Sequence, residues 1–327
     1  MLENRIAVIV PTYNRKDLVF ETVRSILQQT VPAGWSFEVI VVDDGSTDGT
    51  GEAFQAASFP RDRVTYLHQD NRERGAARNL GARHAISVAR ASWLFFFDSD
   101  DILLEGAFKG LVERLLSDPN ALGGVKDVSA VYGKLETWYG GKRLPASQKK
   151  IYYPEGNISE ELAERTFFSI GATLVKADTF KSVGGFSEIR AMSGSEDFNF
   201  LFRAALRGRF LFAPIVVILY RQHTSNTHPE NYLISTDLAI SELESEVRKA
   251  WPPKKADEIF ARLWLLGKLS QVGALSSSGY LREAATVLFS ISYRHPSALF
   301  KARVVRLWLS VVRRGLLSVH FVAIKSK

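Results

Sequence analysis

Short apolar runs alternate with amphipathic stretches over the first hundred residues of the chain. Four of these runs predict strands, at residues 6–10, 37–42, 64–68 and 93–97. Apolar residues recur every three or four positions over residues 19–27, and residues 75–89 are rich in Ala and Arg, so both stretches predict helices. The run at 93–97 lacks polar alternation, which is typical of a strand buried on both faces of a parallel sheet. The pattern therefore predicts a doubly wound, mainly parallel α/β sheet covered by helices.

The pattern changes after residue 101. Helices are predicted at residues 104–117 and 196–206, and strands at 130–132, 135–138, 170–175 and 215–220. Beyond residue 228 the pattern is almost wholly helical, with breaks at Pro252-Pro253 and at Gly279. We therefore expect an α/β domain over residues 1–228, with halves at 1–101 and 102–228, followed by a helical C-terminal region over 229–327.

Composition limits the classes of protein to which this chain can belong. Of its 327 residues, 46% are hydrophobic and 24% are charged, which supports a large core and excludes a disordered chain. The absence of cysteine excludes disulfides, thiolate zinc sites and a cysteine nucleophile, and the cytoplasm is the expected compartment. The N-terminal residues include an acid at Glu3 and do not resemble a signal peptide. No apolar stretch reaches the roughly 18–20 residues of a membrane-spanning helix.

Polar residues cluster where the predicted strands end. They are Pro11-Thr12-Tyr13-Asn14-Arg15 after the first strand, Asp43-Asp44 after the second, and Asp98-Ser99-Asp100-Asp101 after the fourth. Because the ligands of an open parallel sheet bind at the carboxyl ends of its strands, these residues form the candidate site. The patterns G-x-G-x-x-G after the first strand and G-x-x-x-x-G-K-[ST] are both missing, which excludes a dinucleotide fingerprint and a P-loop.

The aspartates after the fourth strand are the strongest local signal. Three clustered carboxylates at the end of a buried strand are costly unless a cation neutralises them, and hard oxygen ligands suit Mg²⁺ or Mn²⁺. The alternative is an N-terminal cap for the next helix, for which one aspartate would suffice. The spacing of Asp98 and Asp100 therefore favours a divalent metal site, whereas Asp43-Asp44 alone is equally typical of a turn.

Five motifs taken together resemble the family 2 inverting glycosyltransferases of the GT-A fold. They are P-T-Y-N-R at 11–15, V-V-D-D-G-S-T-D at 41–48, R-G-A-A-R-N at 74–79, F-D-S-D-D at 97–101 and S-E-D at 195–197. Their order and spacing match this family over roughly residues 4–225, and the C-terminal hundred residues lie outside the match. The resemblance implies a GT-A fold with a Rossmann-like nucleotide half at 1–101, an acceptor half at 102–228 and a C-terminal helical extension.

The resemblance implies that the strand-end loops bind a nucleotide-sugar donor. The residues that it places at the donor are Pro11, Thr12, Tyr13, Asn14, Asp43, Asp44, Arg78, Asp98 and Ser99. A carboxylate can accept the uracil N3–H and ribose hydroxyls, which favours a UDP-sugar. Arg78 is expected to contact the nucleotide or its diphosphate, and the alternative is a solvated arginine on an Arg-rich helix.

The resemblance also implies a Mn²⁺ or Mg²⁺ cofactor. Asp98 would be the ribose and metal-water ligand of a D-x-D motif, and Asp100 the direct metal ligand. His223 follows the last predicted strand and matches a position where many family members place a metal-binding histidine. An inert loop histidine is the alternative of equal weight. Asp101 is expected only to cap the next helix.

Asp197 and Glu196 are the candidate catalytic residues, as resemblance to the family's E-D motif implies. Asp197 would take a proton from the acceptor hydroxyl as that oxygen attacks the anomeric carbon opposite the leaving diphosphate, which inverts the centre. Glu196 would orient the acceptor. Without the resemblance, two carboxylates at the start of a helix are ordinary caps. Trp138, Tyr139 and the Gly184-Gly185-Phe186 loop are candidate acceptor walls, because sugars stack on aromatic faces. Core positions are an alternative of at least equal weight for these aromatic residues.

These residues together predict a metal-dependent inverting hexosyl- or N-acetylhexosaminyltransferase. It would extend a cell-surface glycan or a lipid-linked oligosaccharide from the cytoplasmic face. A nucleotidyltransferase that makes an activated sugar is one alternative, disfavoured because no Gly-rich basic loop follows the first strand. A non-catalytic glycan-assembly scaffold is another, disfavoured because both carboxylate pairs are present.

Positive charge is concentrated at the C-terminal end of the chain. The formal net charge is +7, and residues 284–327 hold eight Lys or Arg and no acid. A helix over residues 301–316 would carry arginines on one side and an apolar stripe on the other. The residues concerned are Arg303, Arg306, Arg313 and Arg314, opposite Val304, Val305, Trp308, Leu309, Val311, Val312 and Leu316. Two interpretations have equal weight: a peripheral helix on an anionic membrane, or a stripe docked on the preceding helices. Nucleic acid is not an expected partner, because no recognised binding module is present.

Overall fold

The computed structural model describes residues 4–118, 128–139, 142–144, 152–222, 229–294 and 304–311. The chain divides into two units. The first consists of Met1–Leu162 and Thr166–Asn226, and the second of Ala163–Arg165 and Thr227–Lys327. The first unit contains the sheet, and the second is helical.

The first four strands form the parallel part of the sheet. They are β1 (Asn4–Thr12), β2 (Trp35–Asp43), β3 (Val64–His68) and β4 (Trp93–Phe96), connected by α1 (Lys16–Leu27), α2 (Thr50–Ala56) and α3 (Glu73–Ser87). The pairs β1–β2, β2–β3 and β1–β4 are all parallel, with β1 between β2 and β4. The predicted doubly wound arrangement is confirmed, and the carboxyl ends of these strands share one side of the sheet, here called the carboxyl edge.

β1 is longer than predicted because Pro11 does not end it. The backbone of Ile9 faces β4, where its carbonyl accepts the Phe97 N–H at 2.9 Å. Pro11 faces the same way two residues later, beyond the last β1–β4 pair. Its missing N–H therefore removes no hydrogen bond from the sheet, and the strand continues to Thr12.

The second half of the first unit extends the sheet with strands of both directions. Its elements are β5 (Ile102–Leu103), α4 (Ala107–Leu116), β6 (Val128–Tyr139), β7 (Lys142–Leu144), α5 (Ser159–Glu164), β8 (Thr173–Lys176), α6 (Ala177–Val183), α7 (Glu196–Ala205) and β9 (Arg209–Arg221). The last two residues of α5 belong to the second unit. The strand order is β3-β2-β1-β4-β8-β6-β9-β5, with β7 paired to β6. β8 is antiparallel to β4 and β6, and β5 is antiparallel to β9, so the sheet is mixed.

Four predicted boundaries change in this half. The strand predicted at 215–220 is longer and begins at Arg209. The strands predicted at 130–132 and 135–138 form one strand, β6, whose pairing with β9 shifts register. The strand predicted at 170–175 begins as a 3-10 turn, Ile170–Ala172. The helix predicted from residue 104 begins at Ala107. The segment after Asp101 therefore joins the sheet through β5 before any helix starts.

β1 is buried on both faces, as a central strand must be. Ile6 and Val8 pack in a core cluster with residues of α1 and α4, whereas Ile9 faces α3. A Cβ at Gly81 of α3 would lie 2.5 Å from Cγ2 of Ile9, so only glycine permits this close approach. α3 is thereby held against the sheet, with Arg78 one turn nearer the carboxyl edge.

In its described residues, the second unit consists mainly of three long helices and a shorter helical segment. The long helices are α8 (Pro229–Ala250), α9 (Pro253–Ser277) and α10 (Leu281–Arg294), and residues 304–311 are also helical. The chain breaks at Pro252-Pro253 and at Gly279, as predicted, and Gly279 has a φ of +88° that favours glycine. Across the described ranges, none of the helices combines the length and apolar character needed to cross a membrane.

Part of the apolar stripe of the basic tail docks on the second unit. Val304 and Val311 are buried in a cluster with residues of α9 and α10. The ring centroid of Trp308 lies 4.9 Å from that of Phe289. Over residues 304–311 the stripe is therefore divided, because Val304 and Val311 dock on the second unit whereas Val305 and Leu309 are exposed. Arg303, Arg313 and Arg314 lie outside the described residues.

Candidate active site

The loop after β1 is joined to the turn after β2. The N–H of Asn14 donates to Oγ of Ser46 at 2.9 Å, and Oδ1 of Asn14 accepts the Thr47 N–H at 2.8 Å. Asn14 has a φ of 50°, a left-handed conformation that asparagine tolerates. Tyr13 is exposed beside it, while Thr12 is buried. The loop and the turn therefore present one continuous surface at the carboxyl edge.

Asp43 and Asp44 differ in how many of their carboxylate oxygens accept hydrogen bonds from the chain. Asp43 accepts a backbone N–H of its own turn on Oδ1 and the Tyr66 hydroxyl on Oδ2. Asp44 accepts the Gln69 side chain at 2.6 Å and the Arg72 N–H at 2.9 Å, both on Oδ1. Within the described part of the chain, Oδ2 of Asp44 accepts no hydrogen bond. Asp44 is therefore the aspartate of this pair with an oxygen to offer a ligand.

The D-x-D segment lies directly after β4 at the same edge. Ser99 is buried, and the side chains of Asp98 and Asp100 are 34% and 11% exposed. Arg15, from the loop after β1, forms an ion pair with Oδ2 of Asp100. The sequence prediction gave Arg15 no role of its own, although its place in the P-T-Y-N-R run was the signal available.

Asp101 is not a helix cap. It is buried, and its Oδ1 accepts the Arg221 N–H at the end of β9 at 2.9 Å. The next helix begins only at Ala107. Burial, together with the charges of Asp98 and Asp100, raises the pKa of Asp101 well above its usual value. Asp101 therefore ties β9 to the D-x-D segment, and the cap prediction is wrong.

α7 brings Glu196 and Asp197 to the carboxyl edge. β8 runs antiparallel to β4, so the chain leaves the sheet on the opposite side and returns through α6 before α7 begins. Gly75 of α3 leaves room for this return, because a Cβ there would lie 2.3 Å from the carbonyl oxygen of Ser187. The returning segment thus places the second acidic motif beside the first.

Arg78 joins the two acidic motifs. Its Nη1 donates to Oε1 of Glu196 and its Nη2 to Oδ1 of Asp98, each at 2.7 Å. The side chain is only 2% exposed, and its guanidinium lies 5.3 Å from the Phe186 ring centroid. Burial disfavours the charge, but Asp98 and Glu196 outweigh it and raise the pKa of Arg78 above its usual value. The solvated-arginine alternative is therefore wrong.

Both carboxylate oxygens of Glu196 accept hydrogen bonds from other residues of the chain. Oε1 accepts from Arg78 and lies 3.7 Å from Nε of Arg74. Oε2 accepts the Gly194 N–H at 2.6 Å. The side chain is buried. This geometry suits Glu196 to holding Arg78 and the start of α7 rather than to contacting an acceptor, which was the predicted role.

The pKa values of Asp98 and Asp197 are shifted in opposite directions by their surroundings. Burial acts to raise the pKa of Asp98, but the charges of Arg78 and Arg74 hold it below its usual value. Burial and the neighbouring Glu196 charge raise the pKa of Asp197 to about 6, against the opposing charge of Arg78. Asp98 thus stays ionised at neutral pH, whereas Asp197 can accept a proton there.

The pKa of Asp197 predicts how the transfer rate depends on pH. A general base works only when it is ionised, so kcat should rise as pH increases through about 6 and level off above about pH 7. Initial rates measured from about pH 5 to pH 8 at saturating donor and acceptor would show this limb. A rate that is already maximal at pH 5 would contradict Asp197 as the base.

Asp98 and Asp100 offer the carboxylate oxygens that Mn²⁺ and Mg²⁺ prefer. Oδ1 of Asp98 is taken by Arg78, while its Oδ2 accepts no hydrogen bond from the described residues. Within the same described ranges, no three Asp, Glu or His side chains cluster as a complete metal centre. His223, the predicted third ligand, lies outside the described residues. The two carboxylates therefore fit a cation that takes its other ligands from water and phosphate oxygens.

The candidate acceptor walls are of two kinds. Trp138 and Tyr139, at the end of β6, are both exposed. Phe186 is buried, and its ring stacks on Phe200 at a centroid distance of 4.2 Å. Phe186 is therefore a core residue, which was the alternative for it, whereas Trp138 and Tyr139 present aromatic surface.

Asn79 fixes the segment that precedes α7. Its Oδ1 accepts the Phe186 N–H at 2.8 Å, and its Nδ2 donates to the Phe186 carbonyl at 2.9 Å and to Glu188 at 3.0 Å. Arg72 also pairs with Glu188, at 2.9 Å. The sequence prediction used Asn79 only as part of the R-G-A-A-R-N motif. No local signal shows these contacts, because the Asn79 partners lie 107 and 109 positions away.

Two acidic motifs at the carboxyl edge of this mixed sheet define the class of protein as one built on the GT-A fold. A family model described as "Glycosyl transferase family 2" matches residues 7–175, which is just over half of the chain. The chain belongs to this family.

Two curated relatives align with parts of the chain. "Glycosyltransferase GlyG" of Streptococcus pneumoniae serotype 4 is 40% identical over 111 residues, which are 34% of this chain and 35% of GlyG. An uncharacterized glycosyltransferase of Haemophilus influenzae is 27% identical over 199 residues, 61% of each protein. The chain therefore spans less than two thirds of the length of each of these relatives.

Solved structures resemble the whole chain more closely in fold than in sequence. The crystal structure of S. aureus TarS 1-349 gives a TM-score of 0.61 at 19% identity, covering 95% of this chain and 88% of that one. The mannosyltransferase PcManGT from Pyrobaculum calidifontis, in complex with GDP-Man and Mn²⁺, gives 0.58 at 22% identity, covering 97% and 87%. These likenesses confirm the predicted GT-A fold.

Proposed function

We propose that this chain is an inverting glycosyltransferase that moves a hexosyl or N-acetylhexosaminyl group from a nucleoside diphosphate sugar to an acceptor hydroxyl. The observation that carries the proposal is the Arg78 bridge, which holds Asp98 and the start of α7 at one site. Donor and acceptor must meet at the anomeric carbon, and the bridge brings together the groups that serve each. The proposed acceptor is a glycan or a lipid-linked oligosaccharide in cell-surface polysaccharide synthesis, at the cytoplasmic face of the membrane.

The proposed donor is a UDP-sugar. Oδ2 of Asp44 is available within the described chain and can accept the uracil N3–H. Asp43 has both oxygens engaged, so we assign it to shaping the turn. A crystal structure of TarS in complex with UDP-GlcNAc supports a nucleoside diphosphate sugar as the donor class. PcManGT is in complex with GDP-Man, so the identity of the donor's nucleotide base is the part of the proposal that most needs testing.

Asp98 and Asp100 are the proposed ligands of Mn²⁺ or Mg²⁺ at the donor diphosphate. A divalent ion bound there supplies charge stabilisation for the departing phosphate oxygen, without a proton donor. Arg78 keeps Asp98 ionised and fixes one of its oxygens, which orients the other. Arg15 neutralises Asp100 in this structure and carries a guanidinium suited to diphosphate oxygens.

Asp197 is the proposed general base. Its Oδ1 accepts the Phe198 N–H at 2.7 Å, and in the described chain its Oδ2 accepts no hydrogen bond. This oxygen takes the acceptor proton while the acceptor oxygen bonds to the anomeric carbon and the bond to the diphosphate breaks. Attack comes from the face opposite the leaving group, so the anomeric configuration inverts.

Removing divalent metal should abolish transfer. EDTA should reduce the rate to background and added Mn²⁺ or Mg²⁺ should restore it, because the leaving diphosphate then lacks its counter-charge. The Asp100→Ala variant should bind UDP in the presence of Mn²⁺ more than about tenfold more weakly by calorimetry. Mutating a residue that only hydrogen-bonds a metal ligand already weakens metal binding by about tenfold or more, so removing a direct ligand should cost at least as much. UDP binding without metal serves as the control and should differ little between the two proteins. Turnover at full rate in EDTA would contradict the metal assignment.

Donor hydrolysis across a panel of UDP- and GDP-sugars with Mn²⁺ is the test of the function. Slow release of UDP from one donor, accelerated by an oligosaccharide acceptor and giving a product of inverted configuration, is the expected result. Pyrophosphate release from a nucleoside triphosphate and a sugar 1-phosphate would indicate a nucleotidyltransferase. Donor binding without any turnover would indicate a scaffold.

A further inference from the structure

α10 exposes large apolar side chains on the side that faces away from its core. Ala284, Leu288 and Ile291 are buried against the second unit. Phe289 and Tyr293, four positions apart and thus on one helix face, are 64% and 89% exposed. Neither side chain is needed to fill the core, and two neighbouring exposed aromatic rings are unusual on a surface facing only water.

The helix at 304–311 extends this exposed surface. Val305 and Leu309, also four positions apart, are exposed, while Val304 and Val311 are buried. Trp308 lies between these two faces on a helix of 3.6 residues per turn, and its ring contacts Phe289. Phe289, itself exposed, therefore contacts the residue that borders the exposed positions Val305 and Leu309. We call the set Phe289, Tyr293, Val305 and Leu309 the α10 patch.

We propose that the α10 patch is the surface by which this protein docks on an anionic lipid membrane. The residues that contact lipid are then those left exposed after Val304, Trp308 and Val311 have packed on α9 and α10. The patch keeps Val305 and Leu309 from the stripe that the sequence predicted for this role and adds Phe289 and Tyr293 of α10. The proposal concerns binding alone, so it stands or falls separately from the proposed transfer chemistry.

Charge selects an anionic lipid surface as the occupant of the patch. Arg294 follows Tyr293 directly and Arg306 follows Val305, and no acid occurs anywhere in residues 284–327, which hold eight basic residues. Each basic residue near an anionic surface adds attraction that salt screens. A second copy of the chain would bring a second Arg294 and a second Arg306 to this face, which opposes a symmetric dimer through it. Phe and Tyr are suited to the boundary between headgroups and acyl chains.

Co-sedimentation with vesicles tests the proposal. The full chain should bind vesicles of phosphatidylcholine with about one third phosphatidylglycerol, and binding should weaken strongly in about 0.5 M NaCl and on pure phosphatidylcholine. The double variant F289S/Y293S should bind at least about tenfold more weakly. Ile234→Ser removes an equally exposed apolar side chain from α8 of the same unit and should change binding by less than about twofold.

Because Phe289 contacts Trp308, the F289S substitution could weaken vesicle binding by disturbing the fold of the second unit. A second double variant controls for this effect. Y293S/L309S leaves that contact in place and should show the same loss of binding with an unchanged melting temperature. Unchanged vesicle binding by both double variants would overturn the proposal. Equal binding of the original chain to neutral and anionic vesicles would also overturn it. A third contrary result would be an original chain that does not bind vesicles but forms a dimer, which F289S/Y293S converts to a monomer.

Discussion

Replacing Asp197 by Asn should lower kcat for sugar transfer by about 10²–10⁴-fold and leave donor binding intact. The amide keeps the shape of the side chain but cannot take the proton of the acceptor hydroxyl. Asp197 lies in the first turn of α7, where the pKa of about 6 lets it ionise and still act as a base. Transfer rates and UDP affinity should be measured on the same preparation, so that chemistry and binding are separated.

A matched control is available in α6. Asp178 occupies the same first-turn position, is largely exposed and pairs with Lys181 at 2.8 Å. Asp178→Asn should transfer sugar at the full rate. Substantial transfer by Asp197→Asn would remove Asp197 from the role of base, whereas loss of UDP affinity would indicate a disturbed site instead.

Replacing Arg78 by Met should both destabilise the first unit and inactivate the enzyme. The change leaves the buried Glu196 carboxylate with only the more distant and more exposed Arg74, and breaking a buried ion pair costs up to about 3–5 kcal/mol. It also frees Asp98 and the start of α7 to move apart, and misplacement of about 1 Å lowers rates on the order of 10²-fold. Thermal unfolding and kcat/KM of the same protein would measure the two effects.

Two further variants separate the charge of Arg78 from its geometry. Arg78→Lys keeps one charge but cannot bridge both carboxylates, so it should recover part of the stability and little of the activity. Arg83→Met removes an exposed arginine from the same helix, 3.5 Å from Glu188, and should cost less than about 0.5 kcal/mol. An Arg78→Met protein with normal transfer would show that the bridge does not position the site.

The parallel half of the fold could be predicted from the sequence because its signals are local. Each of β1 to β4 is an apolar run, and the predicted strands end within two residues of those observed. Strand direction and partner in the second half have no such local signal. β6 therefore looked like two strands, and nothing in the sequence of β8 indicated that it runs antiparallel to β4.

The prediction for Asp101 was wrong for a related reason. β5 has only two residues, too few to show any periodicity, and it exists because β9 pairs with it. Ile102 and Leu103 consequently looked like a short lead into the helix predicted from residue 104. Once they belong to a strand, Asp101 has no helix to cap and accepts the Arg221 N–H instead.

The sequence by itself determined the family resemblance, the parallel strands and the positions of the carboxylates, since each depends on residues a few positions apart. The tertiary structure alone decided what surrounds those carboxylates. The two partners of Arg78 lie 20 and 118 positions away, and only the return of the chain through α6 brings the second within 2.7 Å. The same holds for the tail, where the sequence showed an amphipathic helix but packing against α10 decided which apolar side chains are buried. Burial and ionic partners depend on every element that surrounds a side chain, and no short stretch of sequence contains that information.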